Sequence, residues 1–154
     1  MDKYEIWKYI KDNFIPNMND TQTEFIKLIS NDVDNVFYDI FKNRNVGIST
    51  AIDAFCVTKL INESNLKIGI FSPNGINQRL HSDNIQGFFM VINKYIVPLK
   101  YTSGAVKFTN NSELNFFNSI ESIRGHRFDY LFLDEVSVDL SYLMSCTKIL
   151  IRID

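Results

Sequence analysis

Two short segments of this chain hold residue types that can handle phosphate. The first is Lys42-Asn43-Arg44-Asn45-Val46-Gly47-Ile48-Ser49-Thr50. It has a glycine just before a Ser-Thr pair where a helix could open, with two cations upstream. Backbone N–H groups at a helix start face an anion and the helix dipole favours it. A hydroxyl at Ser49 could ligate Mg²⁺. The second segment is Tyr130-Leu131-Phe132-Leu133-Asp134-Glu135, four apolar residues running into two carboxylates. At the end of a buried strand, the first carboxylate could hold Mg²⁺ through water. The second could polarise a water for in-line attack on phosphorus.

The first segment departs from the full phosphate-loop pattern, which needs glycine at position 43 and lysine at position 48. Asn43 and Ile48 stand there. The positive charge could come from Lys42 or from Arg44, and the planar fork of arginine suits phosphate oxygens. Alternatively, this is an ordinary strand-to-helix loop with Ser49 as its cap. The acidic pair could likewise be a solvated strand end. Ser49 and Asp134 lie about 85 residues apart, in the order a nucleotide site requires, and the pair of segments says more than either alone.

Such residues work only if a scaffold brings them to one edge. Tyr4, Trp7, Ile10 and Phe14 share one face of a helix that Pro16 ends. Thr21 to Glu24 reads as a capping box, so a second helix starts near Thr21. Val36 to Phe41 is rich in strand formers and leads into the Lys42–Ile48 loop. A helix is expected from Ser49 to about Glu63, a strand at Lys67–Phe71, and a long helix from about Ile76 to Tyr95. Ala105–Phe108 and Leu114–Phe117, joined across Asn110-Asn111, read as a β-hairpin. Tyr130–Leu133 is a buried strand, Leu140–Met144 a short helix, and Lys148–Ile151 a last strand. Alternating strands and helices imply an α/β protein with a mostly parallel sheet flanked by helices. Ligands bind at the carboxyl ends of the strands in such sheets.

The chain's 154 residues fit one domain with a real core, and 45% hydrophobic against 22% charged residues is ordinary globular composition. A net charge of −2 argues against a DNA-coating basic protein, but not against a local DNA contact inside an assembly. Cys56, Cys146, His81 and His126 have no zinc-type spacing. The thiols read as core or surface cysteines suited to a reducing cytosol. No signal peptide or membrane span is expected. Trp7 and the many Phe read as core, and His126 as a surface residue. Arg124 and Arg127 could contact nucleotide, DNA or a neighbouring subunit.

Taken together, the segments resemble the ATPase domain of the large terminase subunit, the DNA-packaging motor of tailed phages. Lys42 to Thr50 is similar to that family's variant phosphate loop, in which the lysine is moved to the loop start, here Lys42. Arg44 matches its loop arginine, and Asn45 replaces the usual glutamine. Arg124-Gly125, about ten residues before Asp134-Glu135, matches the lead-in typical of terminases. Gln22 resembles the family's adenine-reading glutamine at approximate spacing.

The resemblance spans about residues 20–150. It implies a P-loop NTPase-like fold over residues 1–154, with 1–20 as an N-terminal helical extension. It also implies Mg²⁺-dependent ATP hydrolysis driving DNA translocation in the host cytoplasm. Gln22, Lys42, Arg44, Asn45, Val46, Gly47, Ile48, Ser49 and Thr50 would bind ATP. Ser49 and Asp134 would hold Mg²⁺, and Glu135, Arg44 and Lys42 would act in catalysis. Implied partners are double-stranded viral DNA within an assembly, a portal, a small terminase subunit and further copies in a ring. Neither the Thr-Pro-type coupling motif nor the acidic nuclease residues of the family occur in Lys148–Asp154. No nuclease activity is therefore expected. The alternative is a fragment or degenerate paralogue of a split terminase acting as a binding module. A helicase-type translocase shares the two motifs but not the Arg-Gly lead-in.

Overall fold

The structure, a computed structural model, describes residues 3–31, 36–40, 47–92, 98–101, 104–135 and 139–153. The helices are α1 (Lys3–Asn13), α2 (Asp20–Ile29), α3 (Ile48–Asn62), α4 (Gly75–Ile92), α5 (Ile120–Ile123) and α6 (Leu140–Ser145). The strands are β1 (Val36–Ile40), β2 (Lys67–Phe71), β3 (Pro98–Tyr101), β4 (Ala105–Phe108), β5 (Glu113–Phe117), β6 (Phe128–Asp134) and β7 (Thr147–Ile153). They form one seven-stranded sheet in the order β1-β7-β6-β2-β5-β4-β3. The pairs from β1 through β5 are parallel; β5-β4 and β4-β3 are antiparallel. This is an α/β fold with a mostly parallel sheet flanked by helices and a β-hairpin before the strand that ends in Asp134.

β6 lies in the middle of the sheet and is buried on both faces, so it reads as an unbroken apolar run. Its side chains alternate between two cores. Tyr130 and Phe132 join Ile149, Ile151 and Ile153 of β7 in the larger core, beneath α1 to α4. Leu131 and Leu133 join Leu150, Ile123 of α5 and Leu143 of α6 in the smaller one. Helix α3 is apolar nearly all round and buried from Ala51 to Leu60, as befits a helix enclosed by α1, α2, α4 and the sheet. Ile6 and Ile10 tie α1 into the same core, and Cys56 and Cys146 are buried free thiols.

Several expectations shift. The second helix is capped by Asn19, not Thr21. Its capping box is Asn19 with Gln22, whose backbone N–H bonds to Asn19 Oδ1 at 2.8 Å while Gln22 Oε1 accepts from the Asn19 N–H at 3.1 Å. Burial decides between the frames: Gln22 is turned inward, and Glu24 is exposed. Strand β3 and helix α5 are additions to the expected elements. His126 is half-buried, not a plain surface residue. Its ring stacks on Phe128, meets Phe117 edge-on, and Nδ1 lies 2.9 Å from Lys67 Nζ. Gly125, with φ +85°, makes the tight exit from α5, where the His126 N–H reaches the Ile123 carbonyl. That is a backbone reason for the Arg124-Gly125 pair. No helix among the described residues is long and apolar enough to cross a membrane.

Candidate nucleotide and metal site

The first turn of α3 is built around Gly47, the N-cap, whose φ of +75° and ψ of +23° are left-handed. Only glycine adopts this without strain. The absence of a Cβ has a second use: an added one would collide with Nε2 of Gln22. That amide nitrogen donates to the Gly47 carbonyl at 3.0 Å. Gln22, 6% exposed, therefore pins the glycine from α2 while capping its own helix. The Gly47 carbonyl also accepts the first intrahelical bond, from the Ala51 N–H at 3.0 Å. Gly47 has no side chain with which to cap the helix, and Ser49 is not the N-cap but the second residue of the first turn. A helix start with this form offers N–H groups to an anion.

Ile48, where the usual motif has lysine, is 2% exposed and part of the larger core. Its side chain is committed to packing, and any phosphate-neutralising charge must come from elsewhere. Ser49 and Thr50 are half-buried. Lys42, Arg44, Asn45 and Val46 lie outside the described residues.

Asp134 is the last residue of β6 and is 1% exposed, so it is not a solvated strand end. It continues the row of Tyr130 and Phe132 and faces α3 and α4. There His81 of α4, also 1% exposed, brings Nε2 within 2.6 Å of Asp134 Oδ2. The other ring nitrogen, Nδ1, lies 2.5 Å from Asp53 Oδ1 of α3, and Asn84 Nδ2 donates to Asp53 Oδ2 at 3.0 Å. Burial alone would lower the pKa of the His81 imidazole. The charge of Asp53 and hydrogen bonds to both carboxylates outweigh it and raise the pKa to about 10. Burial raises the Asp53 carboxyl, and its bonds with His81 and Asn84 offset part of that rise.

Glu135 leaves the strand in a left-handed conformation, φ +57°. Its N–H bonds to the Ile153 carbonyl at the end of β7, 2.9 Å away. Its exposed carboxylate accepts from Asn77 Nδ2 of α4 at 3.0 Å. The acidic pair is thus split: a buried, imidazole-bound Asp134 and an outward Glu135 steadied by an amide.

The oxygen donors Ser49 and Asp134 suit Mg²⁺, which takes one or two protein oxygens and otherwise water and phosphate. Among the described residues there is no group of three or more His, Cys, Asp or Glu placed as a metal cage. His81, Asp53, Asn77 and Asn84 were not anticipated from the sequence. Two signals existed. Asn77, His81 and Asn84 recur at helical spacing on one face of α4. Asp53 is the lone carboxylate of α3, within the apolar run Ala51–Val57.

No protein-family profile matches this sequence, and no curated protein does. Solved structures do match. The large terminase of bacteriophage HK97 superposes with a TM-score of 0.76 at 12% identity, over 99% of this chain and 37% of that one. The large terminase ATPase domain of Thermus phage P74-26 gives 0.54 at 15% identity, over 81% of this chain and 61% of its own. The large terminase of a thermophilic bacteriophage, solved in complex with ADP, gives 0.58 at 10% identity, over 98% of this chain and 37% of that one. The chain spans little more than a third of the two full-length large terminases it resembles. The chain thus shares the fold of these large-terminase structures.

Proposed function

We propose that this chain is the ATP-binding and ATP-hydrolysing domain of a viral DNA-packaging motor. The observation that carries the reading is topological. The start of α3, at Gly47, follows β1, and Asp134-Glu135 ends β6; the two strands run parallel, separated only by β7. Both features therefore lie at the carboxyl edge of one parallel sheet, where such folds bind ligands.

In this reading the N–H groups of the first turn of α3 hold the phosphates, with Gly47, Ser49 and Thr50 lining that turn. Lys42 and Arg44 neutralise the charge that develops on the γ-phosphate, and Asn45 and Val46 complete the loop. Ser49 and Asp134 would hold Mg²⁺, which would offset the charge of the phosphates. Glu135 orients a water. Its oxygen bonds to the γ-phosphorus, the bond to the bridging oxygen breaks, ADP leaves with that electron pair, and the water's proton passes toward Glu135. Gln22 pins Gly47 and reads adenine. That a similar large terminase was solved with ADP supports the choice of nucleotide. Double-stranded DNA, a portal, a small subunit and further copies in a ring belong to this proposal as partners, and the host cytoplasm as its place.

The test is hydrolysis of Mg²⁺-ATP by the purified chain and by Glu135→Gln. The variant should bind nucleotide normally and lose activity by about 10²-fold or more. Absence of nucleotide binding at about millimolar ATP, a free energy near −4 kcal/mol, would sink the reading.

A further inference from the structure

We propose that His81 is a positioning residue of this site: its imidazole fixes the orientation of the Asp134 carboxylate for the Mg²⁺-nucleotide, and Asp53 fixes the imidazole. The inference rests on the function proposed above and adds to it the residues behind the metal ligand.

A carboxylate at the end of an aspartate rotates in a broad torsional well, so its direction is set by its partners. For Asp134 Oδ2 that partner is His81 Nε2 at 2.6 Å. The ring could not hold the carboxylate if it turned freely, and it is held in turn. Nδ1 meets Asp53 Oδ1 at 2.5 Å, and Asp53 Oδ2 receives Asn84 Nδ2 at 3.0 Å. The three ionisable residues come from three elements. Asp53 stands on α3, whose first turn is the phosphate end; His81 stands on α4; Asp134 ends β6. One imidazole thus links the helix that would cradle phosphate to the strand that delivers the metal carboxylate.

Stability alone does not account for this arrangement. Burying charged groups costs several kcal/mol per ion before their mutual attraction is counted, and apolar replacement of such clusters is often neutral or stabilising. Carboxylate and imidazole groups behind metal ligands characteristically orient them, and their loss typically weakens metal affinity about 10–100-fold.

The two amide replacements of histidine separate positioning from packing. Asparagine can place its nitrogen where Nδ1 was, toward Asp53, but does not reach Asp134. Glutamine places its nitrogen where Nε2 was, toward Asp134. The readout is equilibrium binding of a fluorescent, non-hydrolysable ATP analogue with and without Mg²⁺; the ratio of the two affinities reports the metal. His81→Asn should lose about 10–100-fold of the Mg²⁺-dependent gain, and His81→Gln should stay within about threefold of the unaltered chain. Both should bind the analogue without Mg²⁺ as the unaltered chain does.

Equal gains in His81→Asn and the unaltered chain overturn the inference. So do equal losses in the two variants, which would mark a packing role. If His81→Asn does not fold, His81→Gln decides: a retained gain supports positioning and a lost one refutes it. If the unaltered chain binds the analogue with no Mg²⁺-dependent gain, the proposed function fails first, and this inference with it.

Discussion

Replacing Gly47 by alanine tests the central joint of the site, the contact between the first turn of α3 and Gln22. Two costs follow from the geometry. At φ +75° an alanine Cβ pays about 1–2 kcal/mol for the left-handed conformation. The Cβ also collides with Gln22 Nε2. If the amide swings away, it gives up its 3.0 Å bond to the Gly47 carbonyl, at about 1–3 kcal/mol for a buried polar group left unmatched. The expected loss for Gly47→Ala is therefore about 2–5 kcal/mol, large against the ~5–15 kcal/mol stability of a typical domain. Gln22→Ala alone removes the same bond and half of the α2 capping box, for about 1–3 kcal/mol. In the double variant the collision is gone and the shared bond is lost only once. Its destabilisation should fall short of the sum by that shared bond, about 1–3 kcal/mol, within the range of coupling between residues in contact. Urea unfolding of all four proteins measures this, provided the slopes agree. Additivity within about 0.5 kcal/mol would show that Gln22 does not hold Gly47, and the account of this loop would fall.

Two further outcomes follow from the same geometry. Asn77→Ala removes the 3.0 Å bond to Glu135 and, with Glu135 in the role proposed for it, should lower kcat about 10–100-fold, since small misplacements of a catalytic group are costly. KM for ATP and the urea midpoint should hardly move, and a KM effect without a kcat effect would contradict this role for Asn77. His126 is held below its ordinary pKa of 6.5, first by burial and then by the charge of Lys67. Its folded pKa is the lower one, so its contribution is present above pH 6.5 and fades as pH falls through the folded value. Thermal unfolding between about pH 7 and 5 should therefore show a loss of stability that His126→Gln reduces. Equal slopes in both proteins would remove His126 as a cause.

The sequence was most legible where one physical requirement dominated locally. β6 must be apolar on both faces because it is central, and that alone exposes it in a string of letters. The hairpin announces itself through Asn110-Asn111, and Asn111 indeed takes a left-handed φ of +65°. β3 was hidden because Pro98 opens a four-residue strand at the sheet edge, where proline is tolerated but strand character is weak. The α2 start was ambiguous because two capping frames overlap, Asn19 with Gln22 and Thr21 with Glu24. Local pattern cannot choose between them; the contact with Gly47, distant in sequence, does. The His81 group was illegible for a related reason. Residues 53, 81 and 134 meet only once the sheet exists, and each alone looks like an ordinary polar residue.

The acidic pair shows how local backbone geometry can override the alternation of a strand. Successive strand residues face opposite sides of a sheet. Asp134 follows Phe132 toward α3 and α4. An extended Glu135 would follow Leu133 toward α5 and α6, on the face away from His81. It does not, because the chain turns left-handed at Glu135, a conformation that costs a non-glycine residue about 1–3 kcal/mol. The turn is held by the Glu135 N–H on the Ile153 carbonyl and by Asn77 on the carboxylate. Both carboxylates are thereby fastened to the same helix, Asp134 through His81 and Glu135 through Asn77, one helical turn apart on α4. The function proposed above requires the start of α3 and the end of β6 to keep their relative placement. α4, packed against α3 and gripping both carboxylates, is the element that sets it. A shift of α4 along its axis would therefore move both carboxylates together.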